Sequence, residues 1–237
     1  MHRMLIASIV LATAMGMSGR TGTDAPLVST FSVVGFDPDT GELGVAVQSK
    51  FPNVRPIVPW ARAGVGAVAT QSFAELDYAI EGLDLMEQGA TAEEALRIVM
   101  RDDPDRQQRQ VGIVDARGNA ASWTGTGCFD WAGGRIGQAD GAPAIAVRGQ
   151  IVTGRNYTVQ GNILVSEETV LAMANAFETF EGTLADRLMA ALVAGGKAGG
   201  DQRGEQSAAL LVVREGAGYD GMDNFIDISV YDHDANR

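Results

Sequence analysis

The stretch "TFSVVGFDPDTGELGVAVQS", residues 30–49, decides the fold because it predicts a β-hairpin. Its two arms, "TFSVVGF" and "LGVAVQS", are rich in β-branched and apolar residues, which favour strands. The "DPDTGE" between them supplies the Asp, Pro and Gly residues that form tight turns. Thr30 is therefore predicted to be the first residue of a strand. Whether Thr30 is also the first residue of the mature chain depends on where the residues before it are cleaved.

Strands and helices alternate in blocks along the rest of the chain. Thr91 and Glu94 have capping-box spacing at the start of one helix, and Thr183 and Asp186 have the matching spacing at another. The predicted strands are "VGAVATQ", "RQVGIVD", "NAASWTG", "AIAVRG", "QIVTG", "SAALLVV" and "NFIDISVY", and the predicted helices are "YAIEGLDLMEQG", "TAEEALRIVMRD", "SEETVLAMANAFETF" and "TLADRLMAALVAG". This order suits neither a Rossmann fold nor an all-β sandwich. It predicts an α+β fold of two packed sheets with a helix pair on each outer face.

Composition limits the classes of function. A chain of 237 residues with 46% apolar residues can bury a full core, and residues 30–237 are predicted to form a single domain. A formal charge of −12 argues against nucleic acid and anionic membranes as partners. Cys128 is the only cysteine, which excludes an intrachain disulfide and a thiolate metal cage. We expect Cys128 to be a small buried apolar residue.

Residues 1–29 have the features of an export signal and leader. His2 and Arg3 give a basic start, and the apolar stretch Met4–Met17 is too short to span a bilayer. A buried N-terminal helix is the weaker interpretation because the stretch has no polar face. Small residues suit signal peptidase in "ATA" (12–14) and "AMG" (14–16), and less well in "LVS" (27–29). The mature protein is expected to be periplasmic or secreted, with no membrane contact after signal removal.

The sequence excludes the commonest hydrolytic sites. His2 would leave with the signal, so His233 would be the only histidine of the mature chain. A Ser-His-Asp or Cys-His site and a histidine-bound zinc are therefore not expected, and neither a metal nor a cofactor is predicted. Nucleophilic chemistry without histidine remains. An N-terminal threonine carries its own base in its α-amine, so Thr30 is a candidate nucleophile only if the Ser29–Thr30 bond is broken.

The segments "TFSVVGFDPDTGELGVAVQSKF", "VPWARAGVGAVATQSFA", "RQVGIVD", "TGTGC", "YTVQGNIL" and "GGDQRGEQSAALLVV" resemble the bacterial domain-of-unknown-function family 1028. The resemblance extends in order from Thr30 to Tyr231. This family is placed in the N-terminal nucleophile (Ntn) hydrolase superfamily. The resemblance implies a four-layer α-β-β-α sandwich and a nucleophilic threonine, because family members commonly begin Met-Thr-Phe-Ser, where methionine removal exposes the threonine matching Thr30.

Four other positions are candidates near the predicted hairpin and the ends of buried strands. Lys50 ends the second arm of the hairpin, where a cation would lower the pKa of the amine or stabilise an oxyanion. A solvated lysine at a strand end is the alternative. Gln71 and Ser72 follow a buried strand and are candidates to bind substrate, while Asn162 follows "VQG" and is a candidate oxyanion donor. Polar residues at such places are also ordinary turn formers.

Polar side chains also precede the next-to-last predicted strand. Asp201, Arg203, Gln206 and Ser207 are candidate substrate-binding residues at its entry. The Arg203 guanidinium would suit a substrate carboxylate, since it can donate two parallel hydrogen bonds. An Asp201–Arg203 ion pair that fixes the loop is the alternative.

Two hypotheses follow from the sequence. The first is an exported amidohydrolase that cleaves a small amide or short peptide through Thr30. The second is a non-catalytic Ntn-like protein that binds a ligand or assembles with partners. Dimerisation is common in the superfamily, so the resemblance also implies a homodimer.

Overall fold

The computed structural model describes residues 27–28, 30–138, 144–219 and 223–232. The predicted signal and leader, residues 1–29, lie outside these ranges except for Leu27 and Val28, and so do both histidines. The strands are β1 Leu27–Val28, β2 Thr30–Phe36, β3 Leu43–Ser49, β4 Pro59–Arg62, β5 Gly66–Phe73, β6 Arg109–Asp115, β7 Asn119–Thr124, β8 Gly133–Ile136, β9 Ala144–Ala146, β10 Ile151–Arg155, β11 Tyr157–Asn162, β12 Ser207–Val213 and β13 Asn224–Tyr231. The helices are α1 Asp77–Glu87, α2 Ala92–Arg101, α3 Glu168–Thr179 and α4 Leu184–Lys197, with a short 3₁₀ turn at Arg106–Gln108.

The strands form two antiparallel sheets. The first has the order β1-β5-β6-β7-β10, with β4 also paired to β5, and the second has the order β13-β12-β3-β2-β11-β8-β9. The predicted hairpin of residues 30–49 is confirmed as β2 and β3, with Thr30 opposite Ser49 and Phe36 opposite Leu43. This hairpin lies near the middle of the second sheet. The predicted α+β class, with two antiparallel sheets and four helices, is confirmed.

Helices α2 and α4 begin at the capping boxes that the sequence predicts. Thr91 caps α2 by accepting a hydrogen bond from the Glu94 backbone, and the Glu94 side chain accepts one from the Thr91 backbone. Thr183 and Asp186 form the same reciprocal cap at α4. Each cap satisfies two backbone donors that a helix start otherwise leaves open. Among the described residues, no helix combines the length and the apolar character needed to cross a bilayer.

Three buried apolar clusters hold the elements together. One joins α1 and α2 to the first sheet, through residues such as Leu83, Leu96 and Ile113. Another joins α3 and α4 to the second sheet, including Phe31 and Met173. The third lies between the sheets, where β2, β3 and β12 contribute residues together with β5, β6 and β7. The sheets therefore face each other, and each also packs on one helix pair.

Close contact between the sheets depends on Gly112 of β6. A Cβ atom there would lie 2.2 Å from Thr158 Oγ1 and 2.3 Å from Gln160 Oε1, both on the opposing sheet. We expect Gly112→Ala to lower the free energy of unfolding by about 1–3 kcal/mol, because a buried methyl group without space forces its neighbours apart. Urea denaturation measures this change.

Gly82→Ala is the matched control. Gly82 lies inside α1, and its added Cβ would be 3.7 Å from the nearest heavy atom, which is ordinary contact. This change should raise the free energy of unfolding by roughly 0.5–1 kcal/mol, since alanine favours a helix interior over glycine. Equal effects of the two substitutions would show that Gly112 does not set the distance between the sheets.

Candidate functional site

The facing surfaces of the two sheets change from apolar to polar at one end. The side chains on this polar part carry hydroxyl or amide groups, and all of them are fully buried. We call this group of residues the polar seam. Its members are Thr30, Ser32, Ser49, Gln71, Gln110, Ser122, Thr124, Thr158, Gln160 and Asn162. Burying a polar group costs free energy unless it finds hydrogen-bond partners, so the internal contacts of the seam determine whether it is tolerated.

Gln110 of β6 is the centre of the seam. Its Oε1 accepts hydrogen bonds from Gln71 Nε2 at 2.8 Å and from Asn162 Nδ2 at 3.0 Å. Its Nε2 donates to the Gly161 carbonyl at 2.8 Å and to Thr124 Oγ1 at 3.0 Å. These partners come from both sheets, so one amide side chain joins them across their interface.

A second chain of hydrogen bonds leads from the seam to Thr30. Gln160 Nε2 donates to Ser32 Oγ at 2.7 Å, and Ser32 Oγ donates to Gln71 Oε1 at 2.7 Å. Gln71 Nε2 then donates to the Thr30 carbonyl at 3.2 Å. The amide groups therefore fix the backbone of the candidate nucleophile as well as one another.

Thr30 lies between two neighbouring strands of the second sheet. In the strand register it is opposite Ser49 of β3 and Asn162 of β11. Its Oγ1 donates to Ser49 Oγ at 3.1 Å, and Ser49 Oγ also accepts from the Phe51 backbone at 2.9 Å. The sequence did not single out Ser49, yet Ser49 contacts the Thr30 hydroxyl directly.

The chain before Thr30 runs along the other sheet. Leu27 and Val28 pair with Phe73 and Ser72 at the end of β5. Val28 therefore lies in the first sheet and Thr30 in the second. In this form the nitrogen of Thr30 is an amide, which cannot act as a base.

Two residues beside the seam have unusual backbone geometry. Ser72 has φ 68° and Ile163 has φ 54°, in the left-handed region that residues other than glycine rarely adopt and that is least favourable for a β-branched residue such as Ile163. Each directly follows a seam amide, Gln71 in one case and Asn162 in the other. Conformations of this kind cost about 1–3 kcal/mol and concentrate at functional sites. The two strained residues therefore lie at the same end of the molecule as Thr30.

Lys50, Asp201 and Arg203 form a separate cluster next to Ser49. Asp201 Oδ2 accepts from the Lys50 backbone at 3.3 Å and from Arg203 Nη2 at 3.1 Å, and Oδ1 accepts from the Arg203 backbone at 2.8 Å. The Gln202 backbone donates to the Ile163 carbonyl at 3.0 Å, which ties this loop to the residue after Asn162. The Asp201–Arg203 pair is thus present, and the loop borders both strands that flank Thr30.

Gln206 and Ser207 lie beside Ser49: the Gln206 backbone donates to the Ser49 carbonyl at 3.0 Å, and Ser207 is opposite Ser49 in the strand register. Their side chains have other partners. Gln206 Nε2 donates to the Asp232 carbonyl at 3.1 Å, beyond the end of β13. Ser207 Oγ donates to the Phe51 carbonyl at 2.6 Å and accepts from the Val54 backbone at 3.1 Å. Of the predicted candidates, hydrogen bonds unite Thr30, Gln71 and Asn162 through Gln110, while Lys50, Asp201 and Arg203 form the adjoining loop cluster.

Two ionisable groups near the seam, Cys128 and Asp103, have shifted pKa values that fit a structural role. Burial raises the pKa of the Cys128 thiol, which disfavours the reactive thiolate and agrees with the expected buried residue. Burial alone would also raise the pKa of Asp103, but hydrogen bonds from Arg109 and Tyr78 outweigh it and lower that pKa. Asp103 therefore adds stability above its ordinary pKa, and the contribution is lost as the pH falls through the lowered value. Within the described ranges, no three His, Cys, Asp or Glu side chains are grouped to hold a metal ion.

The comparisons with known proteins identify the family. The model of the family of unknown function DUF1028 matches residues 30–142 and 138–236, and the chain belongs to this family. A crystal structure of a DUF1028 protein from Silicibacter pomeroyi is 28% identical, covers 87% of this chain and 80% of its own, and superposes with a TM-score of 0.71. The Thiobacillus denitrificans protein BPH in complex with epoxomicin is 13% identical, with 78% of this chain and 98% of that chain covered and a TM-score of 0.39. No curated protein matches the chain.

Proposed function

We propose that this chain is the precursor of an exported N-terminal nucleophile amidohydrolase whose nucleophile is Thr30. On this proposal its two sheets and two helix pairs form the four-layer α-β-β-α sandwich of that superfamily. The substrate class is a small amide or a short peptide. The proposal rests on one observation above all: the Thr30 hydroxyl lies at the buried end of a seam of amide side chains, on the first residue of a central strand.

Cleavage of the Ser29–Thr30 bond would give Thr30 a free α-amine next to its hydroxyl. The amine takes the hydroxyl proton as Oγ1 attacks the amide carbonyl of the substrate, and it then gives this proton to the leaving amine. Water releases the acyl group from the resulting ester. An amine with a pKa of about 7.7–8.0 is partly neutral near pH 7, so no histidine is needed.

The surrounding groups suit the charges that develop in this reaction. Asn162 is next to Thr30 in the strand register, and its Nδ2 is a candidate donor to the oxyanion. Lys50 follows Ser49, which contacts the nucleophile, and a cation there would favour the neutral amine. Arg203 and Asp201 border the same strands and are candidates to bind a polar group of the substrate.

The uncut chain also supports the second hypothesis, a non-catalytic binding or assembly protein. Thr30 is fully buried and its hydroxyl donates to Ser49, so it is inaccessible to substrate in this form. The enzyme therefore requires both a broken Ser29–Thr30 bond and displacement of the chain before it. β1 pairs over only two residues, a short contact to separate from β5.

Intact-mass measurement of the protein recovered from its native host tests the proposal. The expected mature chain begins "TFSVV". A mature chain that begins upstream of Thr30 would contradict the enzyme hypothesis. Thr30→Ala separates two routes of cleavage: a host peptidase would still cut after Ser29, whereas cleavage by the Thr30 hydroxyl itself would stop.

A further inference from the structure

One edge of β5 is shared by two strands. β6 pairs with β5 from Gly66 to Ser72 and occupies its other edge. On the shared edge, β4 pairs with β5 only as far as Ala69, whereas β1 pairs with the last two residues of β5, Ser72 and Phe73. The chain before Thr30 therefore covers a part of the edge that β4 does not reach.

This part of the β5 edge lies beside the candidate nucleophile. Gln71 precedes Ser72, and its Nε2 donates to the Thr30 carbonyl at 3.2 Å. Val28 is opposite Ser72 and only two residues before Thr30, a distance that two extended residues limit to about 7 Å. An extended segment that follows this edge toward the second sheet therefore ends at Thr30.

Displacement of β1 would uncover backbone groups on this edge. Ser72 is fully buried while β1 is in place. Backbone N–H and C=O groups need hydrogen-bond partners, and a strand edge that lacks them pairs readily with another extended chain. The proposed enzyme requires this displacement, so its mature form would have an open strand edge next to its nucleophile.

We propose, resting on the function proposed above, that this open edge binds the acyl part of a peptide substrate as an added antiparallel strand. The peptide follows the path of β1, so its second and third residues before the cleaved bond pair with Ser72 and Phe73. Sheets bind extended peptides by strand addition of this kind. The substrate class is therefore a peptide with at least three residues on the acyl side of the cleaved bond, rather than a simple small amide.

Two phenylalanines give this edge a preference for apolar side chains. The ring centroids of Phe73 and Phe129 are 6.3 Å apart, and Phe129 is 51% exposed. Directly opposed residues of an antiparallel pair have their side chains on the same face of the sheet. The third substrate residue before the cleaved bond, opposite Phe73, is therefore expected to be apolar, because its side chain would bury aromatic surface.

Peptide binding to an inactive mature chain tests the proposal without catalysis. The probe is a fluorescently labelled peptide of residues 24–29, "DAPLVS", and the protein is the Thr30→Ala chain that begins at residue 30. Fluorescence anisotropy should show binding. The full-length Thr30→Ala chain is the matched control and should bind at least about tenfold more weakly, because its own β1 occupies the edge at a high effective concentration. Circular dichroism checks that both chains are folded.

N-methylation of the probe tests whether it binds as a strand. Successive residues of an antiparallel strand direct their backbone groups alternately toward and away from the partner, so only one of two neighbouring N–H groups donates to β5. Methylation at the position of Leu27 or of Val28 should therefore weaken binding roughly two- to tenfold at one position and little at the other, as the loss of one hydrogen bond predicts. Equal effects at both positions, or no binding of the unmodified probe to the folded chain, would overturn the proposal.

Phe129→Ala tests the apolar preference of the edge. The mature Thr30→Ala chain should bind "DAPLVS" more tightly than "DAPAVS", and Phe129→Ala should reduce this ratio by about threefold because less apolar surface is buried. Phe180→Ala, at a 49% exposed position at the end of α3, is the matched control and should leave the ratio unchanged. Equal ratios in the two variants would exclude Phe129 from the binding edge and contradict the expected path of the peptide.

Hydrolysis measurements separate this proposal from the function on which it rests. A mature wild-type chain that hydrolyses small amides, while its Thr30→Ala form does not bind the probe, would overturn the strand-addition proposal and support the enzyme. A chain that binds the probe with the expected N-methylation pattern but hydrolyses no peptide would overturn the enzyme. The β5 edge would then be the peptide-binding site of a non-catalytic protein.

Discussion

Thr30→Ala should abolish amide hydrolysis by the protein whose chain begins at residue 30, with a loss of about a thousand-fold or more. Removing a nucleophile that acts together with its base eliminates nearly all of the chemical rate enhancement. Thr30→Ser should keep a substantial part of the activity because it retains the hydroxyl. The measurement is the release of amine from a panel of small amides and short peptides, including members with a carboxylate.

The position of the N-terminus provides a control for this prediction. A chain that begins at Leu27 has the same Thr30 side chain but an amide nitrogen, and it should be inactive. The rate of the chain that begins at Thr30 should rise with pH as the α-amine loses its proton, at or below the ordinary pKa of about 7.7–8.0 because Lys50 favours the neutral amine. Activity that survives in Thr30→Ala, or that is equal in the two chains, would support the non-catalytic hypothesis or another nucleophile.

The sequence predicted the parts of the fold that local chemistry determines. The hairpin of β2 and β3 follows from its turn residues, and the starts of α2 and α4 follow from their capping boxes. The gap between the predicted strands "RQVGIVD" and "NAASWTG" is the turn between β6 and β7, where Gly118 has φ 76°. Each of these features depends on residues only a few positions apart, so it can be predicted from the sequence alone.

Other strands were not predicted because they are very short or because their pairing partners are distant in the sequence. β4 and β8 are only four residues long, and "GGRI" in β8 has little intrinsic preference for a strand. β8 exists because it pairs with β11, which in turn pairs with β2. Tertiary pairing here overrides local preference.

Only part of the polar seam could be predicted from the sequence. "TVQGN" in β11 alternates polar and apolar residues, the ordinary pattern of a strand with one solvated face. The structure instead buries both faces of β11, and Thr158, Gln160 and Asn162 face the other sheet's amides. Sequence reasoning therefore found Gln71 and Asn162 as residues at strand ends, but it missed Gln110 and Ser49, whose roles depend on contacts across the two sheets.

Gln110→Leu should lower the free energy of unfolding by about 3–5 kcal/mol. Leucine is close in size to glutamine but offers no hydrogen bonds, so Gln71 and Asn162 lose an acceptor and the Gly161 carbonyl loses a donor. Each buried polar group deprived of its partner costs about 1–3 kcal/mol, and water cannot easily replace the lost contact. Urea denaturation followed by tryptophan fluorescence measures the change.

Gln108→Leu, two residues away, is the matched control for this prediction. Gln108 is exposed and its side chain reaches only Asp105, at 3.5 Å, so its loss should change the free energy of unfolding by less than about 0.5 kcal/mol. If the two variants were equally stable, the seam would not hold the sheets together. If Gln110→Leu were more stable than the wild type, the seam would destabilise the fold. Its role would then be to support the site around Thr30.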